Sequence, residues 1–440
     1  MSRLTAQIPD NNIEERKHII SALFADFLLA EPPLIQVSDT DCTTLTCDGK
    51  SILFRDHLWN AHPKPLSYLD IRNLPSPTTC TNPFALEKDI VVLFGNDELT
   101  ITDNAITCGI DIWASAFFML TRWEEYVNPT RDEHGRFPAA ESTALKHNFL
   151  HRPVVNEYAE MLRRMMEHLN FDIAPKKARF RPILTHDIDI LQSNPKWKSI
   201  AGDVLKRHDL RLALSRLAEP HNVYDTFNFL MDQSEKAGTR SIFFFMAADH
   251  RLGHSCNYLN TRKFAQTTKE IKQRGHIIGF HAGHGTADNP QQYADELQLL
   301  RNRTGLNITF SRQHFLKFDM PHTFNILEDN GISHDFSLGY SQCDGFRCGT
   351  GNSYRVFDFL NRKTLNLREV PLITMDGTLK NNKQLSPAQA EEQIHNTLKI
   401  CTKNRTPFSL LFHNSSFDNY TWQGWKQLYI NIINQICQQP

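Results

Sequence analysis

From residue 181 onward, short apolar runs alternate with longer stretches whose apolar positions recur at helical spacing. The runs at 183–185, 241–246, 277–280, 308–311, 335–338, 367–373 and 408–412 read as strands. Helical spacing fills 225–237, 261–274, 291–303, 322–330, 388–403 and 425–437. Such alternation predicts βα units around a parallel sheet. Roughly seven strands at this spacing fit a closed or nearly closed barrel better than a long open sheet. The first 170 residues have another texture. Strand-like runs at 51–54 and 90–94 are separated by turns such as Leu74-Pro75-Ser76-Pro77-Thr78-Thr79, and 112–126 and 155–169 look helical. The segment from Asn128 to Pro138 between those helices is polar and turn-forming, and Lys176-Lys177-Ala178-Arg179 leads into the second half. The expected architecture is α/β: a closed or nearly closed barrel of roughly seven βα units over 180–440, preceded by a smaller α+β domain over 1–175.

Composition narrows the function classes. Lys plus Arg number 48 against 49 Asp plus Glu, so no overall charge draws the chain to nucleic acid or an anionic membrane. The apolar piece from Ile19 to Ala30 carries Asp26 and reads as an amphipathic helix, too short for a membrane span. With no signal peptide legible before it, the expected setting is cytoplasmic. Nine cysteines without a C-x-x-C pair suggest neither a zinc-thiolate site nor a disulfide framework. Neither G-x-G-x-x-G nor a Walker A loop is present, so a nucleotide-binding fold has no support.

The polar clusters fall just after strand candidates. Thr185-His186-Asp187-Ile188-Asp189 closes the first, Gly279-Phe280-His281-Ala282-Gly283-His284 the third, Arg312-Gln313-His314 the fourth and His413-Asn414 the last. Asp187 and Asp189, two apart on a strand, leave it on the same face. Strand C-terminal ends are where α/β proteins gather ligands and catalytic groups. A carboxylate with two imidazoles suits zinc or another first-row divalent ion, cobalt, nickel or manganese. His281 and His284 are close enough to share an ion if the loop turns. Taken singly, each of these residues also has a structural reading, as a helix cap, a hydrogen-bonded core histidine or a buried ion pair. Four apolar runs all ending in Asp, His or Arg favour convergence on one rim.

A metal on Asp and His with open positions lowers the pKa of bound water, a neighbouring Asp takes up a proton, and an imidazole such as His413 protonates a departing amine. That is a layout for hydrolysing an amide or ester. Arg312 would orient the base or bind an anionic part of the substrate.

In this order the four stretches resemble the polysaccharide deacetylase (NodB-homology) family. The nearest likeness is an intracellular branch carrying T-H-D-x-D, associated with surface polysaccharide assembly. Gly345-Phe346-Arg347-Cys348-Gly349-Thr350, the stretch from Glu369 to Leu379, and Arg122-Trp123-Glu124-Glu125-Tyr126 look typical of that branch. The resemblance implies a distorted (β/α)7-type barrel over 180–440 and a metal-dependent removal of acetyl groups from an N-acetylated sugar, in a glycan or a nucleotide- or lipid-linked precursor. By its motifs, Asp187 matches the catalytic base, Asp189 and His281 metal ligands, Arg312 the residue positioning the base, and His413 the general acid. Three departures stand out. Ile188 splits the usual adjacent acid pair, so the roles of Asp187 and Asp189 could be exchanged. The position of the family's second metal histidine is Gly285, which leaves His284, His314 or water as the replacement. His413 is followed by Asn414, a candidate substrate contact, as are Arg347 and Tyr340. An amidohydrolase acting on a non-sugar amide and a catalytically silent carbohydrate-binding protein are the alternatives.

Overall fold

The computed structural model describes residues 4–171, 180–191, 204–205, 222–247, 257–418 and 421–439. The basic stretch at 176–179 lies outside them. The N-terminal part is built on a six-stranded mixed sheet. Its strands are β1 (Thr5–Ile8), β2 (Leu34–Val37), β3 (Cys42–Cys47), β4 (Lys50–Arg55), β7 (Gly95–Ile101) and β8 (Ala105–Ile110), in the order β2-β1-β3-β4-β8-β7. A two-stranded ribbon pairs β5 (Thr78–Cys80) with β6 (Ile90–Val92). The helix expected at 112–126 is broken into Ile112–Thr121 and Glu124–Val127, because Arg122 adopts a left-handed conformation (φ 54°). Helix Val154–His168 packs its apolar stripe inward, as its spacing implied.

The second half is a nine-stranded sheet. Its members are β9 (Pro182–Ile188), β10 (Ile242–Met246), β11 (Ile277–Ala282), β12 (Phe310–Gln313), β13 (His334–Asp335), β14 (Tyr354–Asp358), β15 (Lys363–Glu369), β16 (Thr374–Met375) and β17 (Phe408–Leu411). They run in the order β14-β15-β13-β12-β11-β10-β9-β17-β16, all neighbours parallel except β14 against β15. The expected βα alternation is present. No closed barrel forms: among the described residues β14 and β16 are edges that do not pair. The reason is the hairpin β14–β15, whose antiparallel strand takes one edge. Helix Ile13–Ala22 of the N-terminal part packs on that hairpin, where the His18 ring lies 4.8 Å from that of Phe357 at a 35° tilt and its Nδ1 2.9 Å from Thr364 Oγ1.

Strand alternation sorts the inner face of this curved sheet from the outer one. Ile183, Ile242, Phe244, Ile277, Phe310, Phe336 and Val370 form one apolar layer inside it. Gly279 makes room there: a Cβ at that position would sit 2.4 Å from the Phe244 ring. At even spacing on the same face come Asp187, four residues after Ile183, His281, four after Ile277, and Arg312, two after Phe310, which therefore stand above that layer.

A buried charge cluster ties the N-terminal part to the loop after β13. Arg122 donates to Glu124, to Glu125 (2.9 Å) and to the Tyr340 hydroxyl (3.1 Å). Arg347 grips Glu125 with two nitrogens (3.0 and 2.5 Å) and donates to the Gly339 carbonyl. Burial disfavours the Glu125 charge, but Arg347 and Arg122 outweigh it and hold its carboxyl below the usual range. Glu125→Ala would leave buried Arg347 without a carboxylate and Arg122 with Glu124 alone. The expected outcome is a loss of about 3–5 kcal/mol in urea unfolding, and a loss under about 1 kcal/mol, the scale of an exposed pair, would contradict the cluster's role.

Two buried histidines make the fold acid-sensitive. Burial, with Arg355 nearby, lowers the His18 pKa to about 3, and burial lowers that of His186 to about 4. Both are neutral in the folded protein, whereas the unfolded chain protonates near pH ~6.5. Their contribution is thus present above pH ~6.5 and lost as pH falls toward 4. The unfolding midpoint should drop between pH 7 and 4.5, and His18→Gln should flatten that slope. An unchanged slope in the variant would show that His18 is not a source of it.

Candidate active site

A cavity of about 280 Å³ opens above the inner apolar layer, near the low end of the ~300–1,000 Å³ usual for small-molecule sites. Asp187, Asp189, His281, His314 and His413 line it together with Gln313, Phe315, Leu316, Ser341, Met375, Asn381 and Asn382. His134 and Arg136 reach it from the N-terminal part.

Asp187 is buried and accepts from Arg312 at 2.8 Å. The same Arg312 nitrogen bonds Thr185 Oγ1 (2.9 Å), and its Nε donates to the Phe336 carbonyl (3.0 Å). Burial opposes ionisation of Asp187, but Arg312, His281 and His413 outweigh it and keep the carboxyl below its ordinary range. His281 is oriented through Nδ1, 3.0 Å from the Arg312 carbonyl, so that Nε2 points at the acids, 3.4 Å from Asp189 Oδ1 and 3.6 Å from Asp187 Oδ2. A carbonyl holding one imidazole nitrogen is the usual way to set a metal-binding tautomer. Asp189, His281 and His314 each offer one ligand atom, all within 4.8 Å of one another. Asp189 Oδ1 is buried with no hydrogen bond. A buried carboxylate oxygen whose nearest partner is the His281 Nε2 at 3.4 Å, with His314 also in reach, fits a divalent cation, and the N/O donor set suits zinc and its first-row neighbours.

Across the cavity, His413 Nδ1 donates to Asp376 Oδ1 at 2.8 Å, and its backbone N–H to Asp376 Oδ2 at 2.8 Å. Asp376 is fully buried and also accepts from the Ser416 hydroxyl. Burial disfavours the imidazolium, yet Asp376, with Asp189 and Asp187, pushes its pKa up to about 10.

Four sequence candidates stand apart from this group. His284 starts a short helical turn after β11, its Nε2 is 3.2 Å from the His134 carbonyl, and it is not within reach of the ligand triad. At Gly285 the space a side chain needs is taken by Gln292, 2.6 Å from a Cβ built there. Arg347 and Tyr340 are consumed by the buried cluster with Glu125 and Arg122. Asn414 is fully buried, and its amide donates to the carbonyls of Ile190 (2.8 Å) and Tyr224 (3.0 Å). None of these three lines the cavity, so the expected substrate contacts at Asn414, Arg347 and Tyr340 are replaced by structural bonds. The sequence reading missed Asp376 as a site residue, although its position, just after the strand candidate at 367–373, was the signal used for the others. His134 and Arg136 belong to a dense polar-aromatic region whose sequence is suggestive of substrate contact or a domain interface.

A family model described as a family of unknown function, DUF7033, matches residues 4–171. No curated protein matches the chain. Among solved structures, the chain is similar to a "putative polysaccharide deacetylase" from Mycobacterium smegmatis, with 14% identity over 60% of this chain and 86% of that one and a TM-score of 0.40. It is similar to the polysaccharide deacetylase Bc1974 from Bacillus cereus, with 12% identity over 58% and 88% and a TM-score of 0.28. It is also similar to BA3943 from Bacillus anthracis, a CE4 family pseudoenzyme, with 9% identity over 59% and 62% and a TM-score of 0.31. These are low-identity, low-TM-score similarities, and the chemistry of the cavity is what bears on function. Among the described residues, no helix is long and apolar enough to cross a membrane.

The triad predicts one divalent ion per chain. Metal content measured on purified variants should fall sharply for His281→Ala and His314→Ala and stay near wild type for His284→Ala. Full metal in the His281 variant would remove the assignment.

Proposed function

We propose that this protein is a metal-dependent hydrolase that removes an acetyl group from an N-acetylated sugar. The observation carrying this reading is the pairing, across one small cavity, of a carboxylate backed by arginine with a histidine backed by a carboxylate, beside a three-ligand cation site. A pure binding site needs no such opposed acid and base. The resemblance of the four motif stretches to polysaccharide deacetylases supports the sugar as substrate class. Residues 1–175 are taken as an accessory unit that completes one wall of the cavity, and residues 180–440 as the catalytic unit.

A divalent ion held by Asp189, His281 and His314 would supply polarisation of the acyl carbonyl and acidification of water. Asp187 is the general base: Arg312 occupies Oδ1 and keeps the group ionised, while Oδ2 faces the cation site. This assigns base and ligand to Asp187 and Asp189 without exchange across Ile188. The charge that Arg312 compensates belongs to the base, so it orients Asp187 rather than an anionic substrate. His413 is the general acid that protonates the departing amine, its Nδ1 anchored on Asp376 so that Nε2 is the proton-bearing atom toward the cavity.

Asp187→Asn and His413→Ala should retain metal and lose turnover by about 10²–10⁴-fold. Acetate release from an N-acetylated oligosaccharide is the assay. The pH profile of kcat/KM should rise as Asp187 deprotonates and fall as His413 does. The variant lacking His413 should therefore lose the basic limb. Near-native rates in both variants would overturn the mechanism. Loss of metal in the Asp187 variant would mean that the two carboxylates have traded roles.

A further inference from the structure

One side of the cavity is walled by the N-terminal part. The chain turns back on itself between Asp132 and Arg136, where the Asp132 N–H donates to the Arg136 carbonyl (2.9 Å). The hairpin folds on the Asp132 carboxylate, which accepts from the backbone N–H groups of His134 (3.0 Å) and Arg136 (2.9 Å) and from Arg136 Nε (2.8 Å). From there it is bonded to three successive loops of the second half. His284, after β11, donates through Nε2 to the His134 carbonyl (3.2 Å). After β12, the Phe315 carbonyl accepts from Arg136 Nη1 (3.3 Å), and the Lys317 side chain runs beside Gly135, its Cε 3.3 Å from where a Cβ would stand. Gln342, after β13, donates to Asp132 Oδ2 (3.2 Å).

The joint is filled. The Phe315 ring has His134 stacked on it (centroids 5.0 Å apart, planes 9° from parallel), His314 against it at 4.2 Å and His284 edge-on at 5.6 Å. Phe315 and Leu316 hold left-handed backbone (φ 61° and 57°), which residues with full side chains keep only where the surroundings over-determine it. At its base the hairpin is tied to the buried charge cluster, since Arg131 Nη2 donates to the Glu125 carbonyl (2.8 Å). His134 and Arg136 line the cavity beside Phe315 and the ligand His314, so the wall begins at the cation site.

A wall bonded in this way decides what can lie in the cavity. An internal sugar of a polymer has a neighbour on each side, and the chain must leave the cavity in both directions. A terminal sugar has one neighbour and needs one exit. The side from β11 to β13 is closed, and a volume of about 280 Å³ is at the low end for a small-molecule site. That space suits one sugar unit whose chain leaves by the other side.

We propose that the Asp132 hairpin restricts this site to a terminal N-acetylated sugar and excludes the internal units of a polymer. This deepens the deacetylase reading and rests on its choice of a sugar substrate. The selectivity comes from an obstacle to the wrong substrate, a device separate from the catalytic groups.

The experiment compares the three chitotriose isomers that carry a single acetyl group, on either terminal unit or on the central one. They share composition and charge and differ only in where the acetyl group sits. Acetate release, calorimetric binding and metal content are measured on the metal-loaded full chain. The variants are His134→Ala combined with Arg136→Ala, which trims the wall, and Asp132→Ala, which unties it. The wild type should release acetate from at least one terminal isomer and act on the central isomer about a hundredfold more slowly, the scale of a misplaced reacting group. In both variants the ratio of central to terminal release should rise about tenfold, with metal content unchanged. Comparable release from central and terminal isomers by the wild type overturns the hairpin's role and leaves the hydrolase standing. So does a ratio that neither variant moves. Loss of metal in the variants also overturns it, because the hairpin would then act as a support for His314. If no isomer releases acetate, the hydrolase reading falls. Wild-type binding that favours a terminal isomer, with the preference lost in the variants, then sustains the hairpin's role, and absent or indifferent binding overturns it too.

Discussion

Arg312 has no solvent exposure and its Nη2 makes no hydrogen bond, so the buried charge has to be answered through its other nitrogens and its face. It is answered from three directions: by Asp187 and Thr185 on β9, by the carbonyl that follows β13, and by the face of Phe244 on β10, 4.6 Å from its central carbon. Removing any of these partners leaves a buried cation short of compensation, a far larger penalty than the net worth of the pair. The consequence reaches past the ion pair itself. The Arg312 carbonyl also holds His281, so one buried residue fixes both Asp187 and an imidazole that faces it.

A second buried cluster governs how the N-terminal part meets this site. Glu125 answers both Arg122 and Arg347, and Tyr340, which accepts from Arg122, precedes the cavity residue Ser341 in the chain. The turn that places Glu125 exists because Arg122 leaves the helix in a left-handed conformation. The same N-terminal part supplies the Asp132 hairpin and its two cavity residues. A rigid, desolvated anchor on one side and a bonded hairpin on the other hold the wall in register with the catalytic groups, as precise positioning at a site requires.

Much of the second half was legible because strand periodicity is a local property. An apolar run followed by a polar residue two positions on identifies the face a side chain leaves by, and this holds for Asp187, Asp189, His281, Arg312 and His413. Asp376 was not legible as a site residue. It follows a two-residue strand, and its partner His413 lies 37 positions away in the chain. Arg347, Tyr340 and Asn414 carried the right chemistry for substrate contact, but polar side chains near a motif are as readily spent on buried bonds, and here they are.

The sequence by itself determined the βα alternation, the inward face of each strand and the chemical types at the strand ends. These follow from periods of two and 3.6 that need no partner. The tertiary structure decided which imidazole joins His281, because that depends on where the chain turns after β11 and β12. It decided that the sheet stays open, because the hairpin β14–β15 takes one edge. It also brought a hairpin from the first 175 residues to the mouth of a cavity built by the rest. Spacing along a chain records which residues share an element, and only packing brings distant elements together.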